Sequence, residues 1–115
     1  MRIVKSILGS FALAAGLAAS PAQAAYHFCW ALNVGSSYKE AIVSGIFTRP
    51  DGEYSVGIQN DWVSFMSNNG WKYSNSSYGC MGPYDSNQEA ADARGDTIRS
   101  YDYDGYSLFY ARYGS

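Results

Sequence analysis

Histidine occurs once in the 115 residues, cysteine twice and proline three times. The lone His27 cannot supply a His-His zinc set, and Cys29 and Cys80 are too far apart for a C-x-x-C motif, so metal-ligand spacing is absent. Charged residues make up only 16% of the chain. The basic ones beyond the first few positions, Lys39, Arg49, Lys72, Arg94, Arg99 and Arg112, are scattered. With a formal net charge of −2, this excludes the basic cluster that nucleic acid or an anionic membrane surface favours. Also missing are H-E-x-x-H, G-x-S-x-G, phosphate-loop and G-x-G-x-x-G patterns. No catalytic constellation, metal or cofactor is expected. The one long apolar run is too short to span a membrane.

That run belongs to a targeting segment. Arg2 and Lys5 form a basic start, residues 7–19 are apolar, Ser20-Pro21 breaks the run, and Ala22-Gln23-Ala24 is an A-x-A cleavage pattern. The pattern predicts a cleaved signal peptide over residues 1–24, export to the periplasm or beyond, and no stable membrane insertion after cleavage. Tyr26-His27-Phe28 before Cys29 lacks the small residue that lipidation requires. Residues 25–115 are then a single domain, small enough to hide only about 60–65% of its unfolded surface.

All eleven tyrosines, all three tryptophans and four of the five phenylalanines fall in that domain. Bulky aromatics fill the core of a small domain, and those left outside form a platform for a glycan or a protein. The candidates for the second role are Trp71, Tyr73, Tyr84, Tyr101 and Tyr103, which lie in loops or near helix ends where a core needs them least. In an oxidising compartment Cys29 and Cys80 are expected to pair. The bridge closes a loop of about 52 residues, which the chain-entropy model values at about 4 kcal/mol.

Along the domain, residues 26–33 alternate, with Tyr26, Phe28, Trp30 and Leu32 on one side and His27, Cys29, Ala31 and Asn33 on the other, the pattern of a half-buried strand. Residues 40–48 form a second strand, hairpinned to the first, in which Gly45 marks a bulge or a close backbone approach. Arg49-Pro50-Asp51-Gly52 is a turn. Ile58, Trp62, Phe65 and Met66 make one apolar stripe at helical spacing, with Ser55 as cap and Asn69-Gly70 as stop. Residues 71–77 read as a surface loop. A strand over 78–81 presents Cys80, and Gly82-Pro83 ends it. Ser86 to Glu89 is a capping box that opens a second helix at Asn87 with an Ala90, Ala93, Thr97 and Tyr101 face. Gly95 in its interior is compatible with close packing. Gly105 ends the turn, and residues 106–113 form the last strand.

The order ββαβαβ predicts an α+β two-layer sandwich, a mainly antiparallel four-stranded sheet with two helices on one face. Three further motifs are assigned no function. Asp102-Tyr103-Asp104-Gly105 lacks the acidic ligand that closes a calcium loop and reads as a turn. Arg94-Gly95-Asp96 falls inside a helix rather than at a loop tip, and Asn75-Ser76-Ser77 matches a glycosylation pattern by chance. His27 reads as an edge residue near the new N-terminus, and a hydrolase built on it has no local support.

The second half, from Gly82-Pro83-Tyr84 through Ala90, Ala91 and Ala93 to Gly105-Tyr106, resembles one half of a SPOR domain, a cell-envelope module that binds peptidoglycan glycan strands. The family order is βαββαβ, whereas here two strands precede the first helix. The chain as a whole is similar to small alphaproteobacterial periplasmic domains with an aromatic-Cys-aromatic first strand and an Ala-rich helix. That resemblance implies envelope location and a Cys29–Cys80 bridge. The functional expectation is a non-enzymatic exported binding module of the bacterial cell envelope that contacts peptidoglycan glycan. The alternative is a small exported protein that binds or inhibits another protein. No motif speaks to the oligomeric state.

Overall fold

The structure, a computed structural model, describes residues 24–113. The predicted signal peptide lies outside the described residues, Ala24 excepted. Seven elements follow in order: β1 (Ala24–Val34), β2 (Lys39–Ser44), β3 (Phe47–Pro50), α1 (Ser55–Asn68), β4 (Tyr78–Tyr84), α2 (Asn87–Tyr103) and β5 (Ser107–Ala111). The class is α+β, with two helices and one mainly antiparallel sheet, as the sequence predicts. The sheet has five strands rather than four.

β1 is the centre of the sheet. Antiparallel β4 lies along one side of it, with Cys80 opposite Cys29. Antiparallel β2 and β3 share the other side, and β5 continues outward, parallel to β2. The predicted single strand over 40–48 is thus broken at Gly45-Ile46. Trp30 faces Val43 but His27 faces Phe47, so the register slips by one residue, as a bulge requires. Ser44 mends the gap. Its hydroxyl accepts the Cys29 N–H at 2.7 Å and donates to the Gly45 carbonyl at 2.7 Å, which satisfies a fully buried polar side chain.

The helix starts follow local chemistry. The hydroxyl of Ser86 accepts from the Glu89 N–H at 3.1 Å and opens α2 where the capping box places it. The Glu89 carboxylate reaches back to the Asp85 N–H at 3.3 Å. In α1 the cap position is Tyr54, without a side-chain bond, and Ser55 is already helical, one residue earlier than predicted. The cause is the preceding turn, closed by Glu53 N–H to Pro50 carbonyl at 3.2 Å, which lets the Tyr54 carbonyl take the first helical N–H groups. Gly70, at φ +77°, ends α1, and the Trp71 N–H returns to the Met66 carbonyl at 3.0 Å. β4 also runs past its predicted end. The Gly82-Pro83 peptide is cis and lies inside the strand, and an edge strand tolerates a proline with no N–H to donate.

The two helices cover opposite faces of the sheet, not one face as expected. Cys29 and Ala31 of β1, with Ile42, Phe47 and Ala111, pack against Ile58, Trp62 and Met66 of α1. The other side of β1 carries Phe28, fully buried, and Trp30, which meets Tyr101 of α2. The reason lies in β1 itself. Both of its side-chain rows are apolar, the small Cys/Ala row as well as the aromatic one, and hiding both from water takes a helix on each side. The Trp62 indole N–H, buried with its ring, donates to the Trp30 carbonyl at 3.0 Å. Tyr113, beyond β5, closes the α1 side with ring centroids 4.9 Å from Phe65, 5.3 Å from Trp62 and 5.2 Å from Phe47. Arg49 of β3 ties that corner together, bonding Glu53 at 2.5 Å, Asp61 at 2.7 Å and the Tyr113 hydroxyl at 3.2 Å. The Asp61 bond is the main cause that raises the Arg49 pKa.

Candidate functional site

Among the described residues an open concavity lies between α2 and the sheet. It is a groove of about 400 Å³ lined by Trp30, Met81, Asp96, Thr97, Ser100 and Tyr101. Alternation along β1 aims Trp30 at α2, since its neighbour Ala31 faces α1. Opposite Trp30 on β4 stands Gly79. A Cβ there would come within 2.9 Å of indole atom Cζ2, so the indole packs against the glycine backbone where a side chain would otherwise stand. From the helix, Thr97 and Tyr101 are one turn apart and look into the groove, with Asp96 and Ser100 beside them. The rings of Trp30 and Tyr101 are 6.3 Å apart and tilted by 54°. Tyr106 supports Tyr101 from behind at 5.2 Å. Burial, with a smaller contribution from Tyr106, raises the Tyr101 hydroxyl above its ordinary pKa. Asp96 is also bonded by Arg99, one turn on, and both are exposed.

The five aromatic candidates do not form one platform. Trp71 and Tyr73 are half-buried and pack against the core on the α1 side. Tyr84 is half-buried at the end of β4, stacked on Phe28 at 6.3 Å. Tyr103 is 91% exposed at the end of α2, apart from the groove. Only Tyr101 enters it. Its main partner, Trp30, is missed by a reading that assigns strand aromatics to the core. The signal was the pairing of a large strand aromatic with an α2 face of Ala90, Ala93 and Thr97, too small to cover it.

His27 is not the edge residue its position suggested. It is 5% exposed, stacked on Phe47 at 5.8 Å, and lies on the α1 side of β1, away from Trp30. Gly82, at φ +128°, makes room for it, because a Cβ there would fall 2.5 Å from Nδ1 of His27. Desolvation lowers the His27 pKa, partly offset by a backbone hydrogen bond at Met81. The groove therefore holds a carboxylate and hydroxyls but no imidazole. Among the described residues no group of three or more His, Cys, Asp or Glu is placed to hold a metal ion. The Cys29–Cys80 bond is formed, and neither cysteine is free. Asp102 and Asp104 flank a turn in which Gly105 takes φ +87°, and the Arg94-Gly95-Asp96 tripeptide is helical.

A second concavity, about 200 Å³, lies on the α1 side beyond the end of that helix, lined by Asn33, Glu40, Ile42, Trp71, Lys72 and Phe109, with Gly70. Compared with known proteins, the chain matches no family model, no curated protein and no solved structure.

Proposed function

We propose that the protein is a non-enzymatic, exported binding module of the bacterial cell envelope that takes a glycan strand, such as that of peptidoglycan, in the groove between α2 and the sheet. One observation carries this reading. An aromatic floor, Trp30 and Tyr101, is bordered by the polar side chains of Asp96, Thr97 and Ser100 in an open channel. Pyranose rings present apolar C–H faces and a girdle of hydroxyls, so they suit aromatic planes flanked by a carboxylate and hydroxyls. The groove is open to solvent along its surface, which leaves room for a polymer to lie across it. The disulfide is in keeping with an oxidising compartment, and no helix among the described residues is long and apolar enough to cross a membrane. The export pattern and the likeness of residues 82–106 to half of a SPOR domain favour the same reading.

The test is co-sedimentation of the oxidised protein with purified peptidoglycan sacculi, intact or stripped of stem peptides. Wild type should sediment with both, and more with the stripped form. Trp30→Ala and Tyr101→Ala should each weaken sedimentation about tenfold or more, as loss of a buried aromatic anchor does. Gly79→Ala should do the same by pushing the Trp30 indole off its seat, while circular dichroism stays native. Failure to sediment with either preparation, or unchanged binding in all three variants, would overturn the reading.

A further inference from the structure

The sheet ends at β5, which is bonded only to β2. Proteins protect such edges with charge, proline or a bulge. The opposite edge has these devices, Pro83 and an irregular register against β1. The five residues of β5, Ser-Leu-Phe-Tyr-Ala, include none, and Phe109 is 40% and Tyr110 55% exposed. On the α1 side Phe109 borders the smaller cleft, across from Trp71 at 6.5 Å.

The charge around this edge is unlike that of the rest of the chain. Arg49 and Arg99 hold carboxylates, whereas Lys39, Lys72, Arg94 and Arg112 make no salt bridge among the described residues. All four stand about β5. Lys39 is 4.7 Å from the ring of Tyr106, just before the strand. Lys72 lines the cleft with Phe109, Arg94 lies 5.7 Å from the ring of Tyr110, and Arg112 follows the last strand residue. The carboxylate in the cleft, Glu40, accepts a hydrogen bond from Asn33 at 2.9 Å. Among the described residues, the four cations without a salt bridge thus stand near an edge strand that carries no proline or charge of its own.

We infer that the outer edge of β5 takes an extended, acidic segment of a partner protein by strand addition. The main chain of that segment bonds to β5, one apolar side chain enters the Trp71–Phe109 cleft, and acidic side chains lie beside Lys72, Arg94 and Arg112. Two copies of this chain fit the edge less well, because pairing β5 with β5 brings the same four cations together. The surface is separate from the glycan groove and does not rest on it.

Three fluorescein-labelled peptides of about ten residues test this against the oxidised protein by fluorescence anisotropy. One alternates glutamate with valine around a central phenylalanine, the second has lysine for glutamate, and the third is the acidic peptide with proline at alternate positions. The acidic peptide should bind at least about tenfold more tightly than the other two, and more weakly in about 0.5 M salt. Lys72→Glu with Arg112→Glu, both exposed and off the ladder, should reverse the preference between the acidic and the lysine peptide. Backbone amides over 107–111 should gain exchange protection when the acidic peptide binds. No binding of the acidic peptide, equal binding of the three, or protection elsewhere would overturn the inference. So would a dimer in which those amides are already protected, which would assign the edge to a second copy.

Discussion

His27 shows how little a residue's neighbours in sequence say about its surroundings. Three positions from the predicted cleavage point, it nevertheless lies under Phe47 and against Gly82, shielded from water. Burial disfavours its charged form and lowers its pKa in the folded state. In the unfolded chain it protonates at about 6.5. The unfolded state therefore binds more protons below that pH, so the stability tied to neutral His27 is complete above about 6.5 and is lost as pH falls toward the folded value. Thermal unfolding between about pH 7.5 and 5 should show a falling midpoint in wild type. His27→Gln should have a shallower slope over that window, since the neutral amide has no proton to gain. Equal slopes in the two proteins would mean that His27 is hydrated in the fold.

At the scale of an element, α2 and the break between β2 and β3 show which local signals hold. The capping box opened α2 where the sequence placed it, and Gly45 lies in the break where the register slips. Both signals act through bonds between near neighbours. Gly95 was compatible with close packing, but the structure gives it no such role. A Cβ at Gly95 would meet only the end of the flexible Arg99 side chain, at 3.4 Å, and its φ is an ordinary helical one. Gly95→Ala should accordingly stabilise the protein by about 0.5–1 kcal/mol through helix propensity, measurable by urea unfolding. A destabilised variant would show that the residue is packed against something after all. Gly79 and Gly82 are the contrast, since each sits against a ring of a neighbouring strand, Trp30 and His27.

For the whole molecule, the bond between Cys29 and Cys80 joins two strands already paired in the sheet, with a sequence separation of 51. It therefore acts mainly on the unfolded chain, whose loop it keeps closed. Cys29→Ala with Cys80→Ala should cost about 4 kcal/mol of unfolding free energy on the chain-entropy model, with some further loss because the Cys29 sulfur is fully buried. That is a large part of the stability of so small a domain. Chemical denaturation of the oxidised wild type and the double variant measures it, and a difference under about 1 kcal/mol would place the constraint elsewhere. The core is arranged around the same strand. Small residues Ala31 and Ala111 let Trp62, Ile58 and Met66 come close, and Arg49 and Tyr113 close the corner where β3, α1 and the end of the chain meet.

Much of this was legible in the residues alone. Alternation in β1, the Ile58–Trp62–Met66 stripe, the Ser86 cap, the Gly105 turn and the cysteine pair each depend on interactions within an element or on simple counting, and each is present in the structure. The candidate site was legible only in part, through Tyr101. Trp30 and Gly79 are 49 positions apart and become neighbours only by strand pairing. Which face each helix covers was decided by tertiary packing, because both rows of β1 are apolar and alternation does not say which row meets which helix. The positive surround of β5 is likewise a product of the fold. Lys39, Lys72, Arg94 and Arg112 are dispersed in sequence, and only the parallel docking of β5 on β2, with α2 on one side and the Trp71 loop on the other, brings them round one edge. Periodicity and capping are local and survive in the sequence, whereas grooves and fields are sums over distant residues and exist only once the chain has folded.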